Sequence, residues 1–280
     1  MMNKLQAFGL IVSQAVRGEL TFPTSVNSAL QLQLALAEPD CHIDHAIKLV
    51  LAEPLLAART VALANSAVYS RGDTAPVTSV RAAVMRMGYR NLYALVAAMV
   101  VRQFGSKIID PVLRQKATQL WEHTAHVAAL AHVIARRVTH VDADTALFAG
   151  IVHEVGGFYL LSRADEFPGL LDDDADHWME SAEEIISREV MKKLHIPLAV
   201  SEAIEGLRDG LLSIPPDSLL DTLLLAKQLS PVASPLQATF VEMLTPSDSV
   251  IDFIIDNETL QSILAESAEE VRSMSAALLV

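Results

Sequence analysis

The sequence predicts an all-α protein, a multi-helix bundle. Apolar residues recur at helical spacing between capping residues along most of the 280-residue chain. Ala and Leu dominate and aromatic residues make up only 5%, which favours helices packed closely through small side chains. Nowhere does an alternating β-branched run stand between turn signals, as a strand would require.

Residues 3 to 17 form a first helix, and Gly18 to Pro23 a connector. Thr24 or Ser25 caps a second helix with Val26, Leu30, Leu34 and Ala37 on one face. Pro39-Asp40 marks a turn before a third helix carrying Ile43, Ile47, Val50 and Leu51. Glu53-Pro54 opens a fourth, because proline suits the first helical position, where the amide would be unpaired anyway. Leu55 to Asn65 is apolar almost all round and belongs at the centre. Asn65 and Ser66 end it by competing for backbone bonds. A loop follows with Arg71-Gly72-Asp73 as its turn. Thr78 caps the next helix and Gly88 stops it.

Arg90 to Phe104 is a further buried helix, and Gly105 to Pro111 separates it from a long one over Pro111 to Val138. Asp142 or Asp144 caps a helix that runs on to His153. Asp165 to Asp176 is a loop with Pro168-Gly169 as breakers. Helices follow over Ser181 to Leu194, Pro197 to Leu207 and Pro216 to Leu229. The tail offers capped starts at Ser247 and Asn257. Its last helix, Glu258 to Leu279, carries Leu260, Ile263, Leu264 and Val271 on one side and packs back on the domain. The chain divides into an N-terminal lobe (1–105), a second lobe (108–232) and C-terminal helices (233–280), all within one unit.

A formal net charge of −13 argues against nucleic acid and against an anionic membrane surface as partners. Arg81, Arg86 and Arg90 read as a solvated face. Cys41 is the only cysteine, which excludes an internal disulfide and fits a reducing cytoplasm. The longest apolar run, Leu92 to Val101, is about half of the roughly twenty residues a membrane span needs. Asp172, Asp174 and Asp176 follow part of a calcium-loop spacing, but His177 stands where the sharp turn needs glycine. No GxxxxGK loop, strand-borne GxGxxG or glycine-framed serine supports nucleotide, dinucleotide or serine chemistry.

The block LANSAVY, a polar glycine-containing loop and VTSVRAAVMRMGYRNL resemble the central signature of the HDOD domain, an all-helical bacterial module related to the HD phosphohydrolases. Asn65, Ser66, Tyr69, Thr78 and Gly88 carry the signature, in structural roles. The resemblance extends more weakly from about Phe22 to about Arg208. It implies an HD-like second lobe and signal transduction with no settled biochemical activity.

HD phosphohydrolases hold divalent metal with a His, a His-Asp pair and a later Asp. Such a metal lowers the pKa of a bound water that attacks phosphorus. TQLWEHTAHVAALAHVIA resembles the first-His helix, placing His123 at a ligand position. LFAGIVHEVGGFYLL resembles the His-Asp helix, giving His153 and Glu154. TLLLAKQL resembles the final helix, with Lys227 where the family has Asp. A protonated lysine has no lone pair to give. The paired His residues that many HDOD domains carry after the IPLAVSEAI segment are Leu207-Arg208 here. Lys227 is expected beside Glu154, filling the space of the metal. His126, three residues from His123, is a further candidate for the same pocket.

The resemblance thus implies a vestigial HD pocket of His123, His126, His153, Glu154 and Lys227. The leading expectation is a non-catalytic signalling or regulatory module, with no cofactor, acting through a protein partner or a small ligand. One alternative is a metal-dependent phosphohydrolase of nucleotides or cyclic dinucleotides, with a divalent metal on His123, His153 and Glu154. The other is an oligomeric scaffold built through the C-terminal helix.

Overall fold

The computed structural model describes residues 4–22, 24–38, 40–70, 75–171, 177–236 and 257–279. Among them there are helices and turns and no strand. The sequence-based turn at Arg71-Gly72-Asp73, the acidic run Asp172 to Asp176 and the helix start at Ser247 lie outside the described residues.

The first lobe contains α1 (Lys4–Val16), α2 (Thr24–Ala37), α3 (Ile43–Leu51), α4 (Pro54–Ala64), α5 (Val80–Met87) and α6 (Tyr89–Phe104). A single 3-10 turn, Gly105–Lys107, leads into α7 (Pro111–Ile134), whose last turn widens into a π-helical segment, Ala135–Thr139. Then come α8 (Ala143–Val152), α9 (Val155–Ala164), α10 (His177–Lys193), α11 (Leu198–Glu205), α12 (Leu219–Gln228), α13 (Asn257–Glu266) and α14 (Ala268–Leu279).

The local chemistry explains most of these boundaries. Pro54 opens α4 in its first turn, with Glu53 at the N-cap position. Gly88, at φ 84°, closes α5 and opens α6 in a backbone conformation open to glycine at little cost. Asp110 accepts from the amides of Val112 and Leu113 at the start of α7, and Asp142 from that of Thr145 at the start of α8.

Several boundaries differ from the sequence reading; the helix expected from Ser181, for one, already begins at His177. Ser79, not Thr78, caps α5, because its hydroxyl accepts from the Ala82 amide. Thr24 is already helical in α2. The helix expected from Pro216 begins only at Leu219, behind a capping box in which Ser218 and Asp221 satisfy each other's amides. The long C-terminal helix is two, divided at buried Ser267.

At the centre α7 runs against α8, α12 and α14, and α6 packs on α2 and α8. The crossing of α7 and α8 is close because it is made of small residues. Ala125, Ala128, Ala129 and Ala131 are fully buried on α7. A Cβ on Gly150 of α8 would stand 2.5 Å from the Ala128 Cα. The C-terminal helix α14 packs on α7 and α4, burying Met274, Ala277 and Leu278. The stretch Ala143–Ala164, rather than Leu92 to Val101, is long and apolar enough in composition to cross a membrane, and 89% of its apolar 18-residue window is buried inside the bundle. Its apolar surface is the core's.

Candidate functional site: a buried histidine pair, a carboxylate and an ammonium

The stretch LFAGIVHEVGGFYLL is not one helix. It breaks at His153, the C-cap of α8, and Glu154, whose φ −106°, ψ 20° starts α9. That break turns both side chains toward α7, where His123 sits 2% exposed; His153 is 6% exposed. The Nε2 atoms of the two imidazoles are 3.4 Å apart. Glu154 Oε1 lies 3.8 Å from His153 Nε2. The ligand atoms of His123, His153 and Glu154 all fall within 4.8 Å of one another.

The tautomers follow from the partners. His123 Nδ1 is 2.6 Å from the Val232 carbonyl, and His153 Nδ1 is 2.8 Å from the Gly150 carbonyl. A carbonyl only accepts, so each Nδ1 carries the hydrogen and each Nε2 presents a lone pair. Backbone contacts of this kind orient imidazoles that ligate metals. Burial lowers the pKa of His123, against the Val232 carbonyl and Glu154. It pushes His153 down to about 3, the Glu154 charge opposing and the Lys227 charge assisting. Both rings are therefore neutral near pH 7. Burial works to raise the Glu154 carboxyl, but the Lys227 charge opposes it and the group is held below its usual range.

Two lone pairs and a carboxylate make a cluster of acceptors with no donor of its own, which needs a positive charge. Lys227 on α12 supplies one. Its Nζ is 3.6 Å from Glu154 Oε1, with Lys227 and Glu154 only 21% and 11% exposed. Lys227 thus stands in ion-pair contact with Glu154.

His126 is not drawn in. Its Nδ1 bonds the Glu122 carbonyl of its own helix, 2.8 Å away, and the converging donors are His123, His153 and Glu154 alone among the described residues. Three residues along a helix leave the two side chains about 60° apart, and the contact with the Glu122 carbonyl holds the His126 ring along its own helix.

The signature residues shape the first lobe. Asn65 accepts from the Val77 amide and donates to the Val77 carbonyl, both at 2.9 Å, pinning the far end of the loop to the end of α4. Arg86 ties the Ala64 and Ala75 carbonyls to the same corner. Tyr69 packs on His132 of α7, 6.3 Å between ring centroids. The Ser66 and Tyr69 hydroxyls are buried with no hydrogen-bond partner among the described residues.

A donor set suited to a divalent ion needs the charge to match as well as the geometry. Two nitrogens at about 2.0–2.1 Å from a tetrahedral ion stand roughly 3.3–3.4 Å apart, the separation found here. At the position that the resemblance gives to the fourth ligand, however, the chain has Lys227, 3.6 Å from Glu154. The residues present do not fit the four-ligand HD site.

An all-helical fold carrying a paired-histidine acidic pocket between α7, the α8–α9 break and α12 defines an HD-like protein. The chain belongs to the HDOD domain family, whose model matches residues 22–200. Among solved structures, a Shewanella amazonensis SB2B protein described as a "putative metal-dependent phosphohydrolase" superposes with a TM-score of 0.71 at 20% identity, covering 99% of this chain and 100% of its own. An HDOD domain protein of unknown function from Geobacter sulfurreducens gives 0.60 at 21% identity, with 98% of each chain covered. A Marinobacter aquaeolei VT8 structure described as a "putative signal transduction protein" gives 0.61 at 17%, covering 98% of this chain and 65% of its own. At these identities the likeness shows the fold. Among curated proteins nothing matches the chain.

Proposed function

We propose that this HDOD chain is a non-catalytic signalling or regulatory module in which the Lys227 ammonium stands where the family holds a metal. It would act through contacts with a protein partner or through a small ligand; signal transduction is the role given in the Marinobacter relative's description, for that protein. The observation that carries the reading is the Lys227–Glu154 contact at 3.6 Å in a pocket otherwise built of acceptors. An ammonium there satisfies the carboxylate at no cost in metal and leaves no open coordination position for a nucleophilic water. The test is a turnover screen of the purified protein with mononucleotides, cyclic dinucleotides and a chromogenic phosphodiester, in added manganese, zinc or magnesium. No turnover above a Glu154→Gln control is expected; turnover lost in that control would overturn the reading.

A second reading has one specific support. Both Nε2 lone pairs are fixed toward a common point at a spacing suited to a metal. A metal-dependent phosphohydrolase, as the Shewanella relative is described, would use His123, His153 and Glu154 to hold the ion. Lys227 would then have to swing out of the pocket, and it is part-exposed. The scaffold reading gains nothing comparable, since the apolar side of α14 is used within the chain.

A further inference from the structure

Residues 230–236, directly after α12, cross the outer side of the histidine pocket and touch it at three points. The Val232 carbonyl accepts from His123 Nδ1 at 2.6 Å. The Ala233 carbonyl accepts from Gln119 Nε2 at 3.2 Å, one turn before His123 on α7. Leu236 lies on Gly157 of α9: a Cβ there would stand 2.6 Å from Leu236 Cδ1 and 3.4 Å from Glu154 Oε2. The leucine thus sits beside the carboxylate. Pro231 and Ala233 are exposed, whereas His123 beneath them is 2% exposed.

The segment is held lightly. Pro231 and Pro235 have no amide hydrogen to give. Among the described residues no amide from 231 to 236 bonds a backbone carbonyl. The Val232 and Leu236 amides reach only the Ser230 and Ser234 hydroxyls, at 3.4 Å each. The helix before it is anchored quite differently: α12 starts in a capping box and buries Thr222, Leu223, Leu225 and Ala226. Segments with few backbone bonds open at lower free energy than the helices they adjoin.

We propose that residues 230–236 form a strap over the pocket, latched by Leu236 on Gly157, and that the strap lifts without unfolding of the bundle to admit a small molecule to His123 and Glu154. Lifting takes the Val232 carbonyl from His123 Nδ1 and the leucine from beside Glu154, so the arrangement described is the closed one. The inference adds a means of regulation to the same pocket, and rests on the regulatory reading above for its purpose.

The probe is diethyl pyrocarbonate, a small reagent that acylates a neutral imidazole nitrogen, with each modified peptide quantified by mass spectrometry. The chain has nine histidines. His42 and His45 are exposed and give the open rate. His132 is 4% exposed and lies nine residues along α7 from His123, about 13 Å, so it reports loosening of the bundle. In the parent His123 should react at least about tenfold more slowly than His42. Urea below the unfolding transition should leave that rate unchanged, because lifting the strap exposes little surface. Leu236→Ser removes the latch. Gly157→Ala puts a methyl where the latch sits, against the end of a flexible side chain, and so tests the strap even if Leu236→Ser fails to fold. A half-buried leucine contributes about tenfold to such an equilibrium, and each variant should raise the His123 rate by about that factor with His132 unchanged. A parent His123 as reactive as His42, a His123 rate that climbs steeply with urea, no rise in a folded variant, or a rise shared equally by His132 would overturn the proposal. None of these outcomes touches the reading of Lys227 in place of a metal, and turnover in the substrate screen would overturn that reading while leaving the strap intact.

Discussion

Replacing Gly150 by alanine sets two opposing effects against each other at the crossing that aligns the histidines. Helix propensity favours the change by about 0.5–1 kcal/mol. Against it, the new Cβ would stand 2.5 Å from the Ala128 Cα, 3.0 Å from its amide nitrogen and 3.2 Å from its Cβ. Ordinary contact begins near 3.4 Å, so α8 must retreat by about 0.9 Å from a partner that is backbone and cannot turn aside. The neighbours Ala125, Ala129 and Ala149 are fully buried, and a gap of this width forfeits about a quarter to a half of each contact along the seam. Overpacking of this kind costs about 1–3 kcal/mol, and the upper end applies because backbone is the obstacle. The net effect is a loss of about 2 kcal/mol, or a fall of roughly 4–8 °C in Tm. Gly9→Ala is the matched control, since a Cβ there meets nothing within 4 Å, and it should raise Tm slightly. Thermal unfolding followed by far-ultraviolet circular dichroism reads both. A Gly150→Ala protein as stable as its parent, shifting the same way as Gly9→Ala, would refute the close-crossing argument.

Two other outcomes follow from buried polar groups. Asp221 is 1% exposed and accepts from the Ser213, Asp217 and Ser218 amides and the Ser218 hydroxyl; Asp221→Ala should cost about 2–4 kcal/mol, seen as a lower denaturation midpoint, and an unchanged midpoint would remove the capping box from the account of α12. His132 is 4% exposed, and burial lowers its pKa from 6.5 to about 4. The folded ring stays neutral while the unfolded one takes a proton, so its contribution is complete above about 6.5 and is lost as pH falls toward 4. That interval amounts to about 3 kcal/mol. Denaturation midpoints measured between pH 7 and 4 should flatten in His132→Gln, and an unaltered acid limb would contradict the assignment.

The sequence foretold elements better than joints. Glu53-Pro54 and Gly88 announced their boundaries because one local interaction decides each. Thr78 and Ser79 are adjacent hydroxyls, and only the entry angle of the chain selects the second. The Ser218-x-x-Asp221 box was readable and outweighs the prolines before it. The break at His153-Glu154 has no proline to mark it and is set by packing against α7 and α10. His123, His153 and Glu154 came from motif resemblance; their tautomers did not, because the Val232 and Gly150 carbonyls that fix them carry no sequence signal. His126 shares a helix with His123 but not a direction.

Metal content decides the central claim, that Lys227 stands where a metal would. Protein purified without chelator is compared with Lys227→Asp by elemental analysis. The account predicts well under one divalent ion per chain in the parent and near one in the variant, where a fourth acidic ligand joins His123, His153 and Glu154. An ion near one per chain in the parent would contradict it.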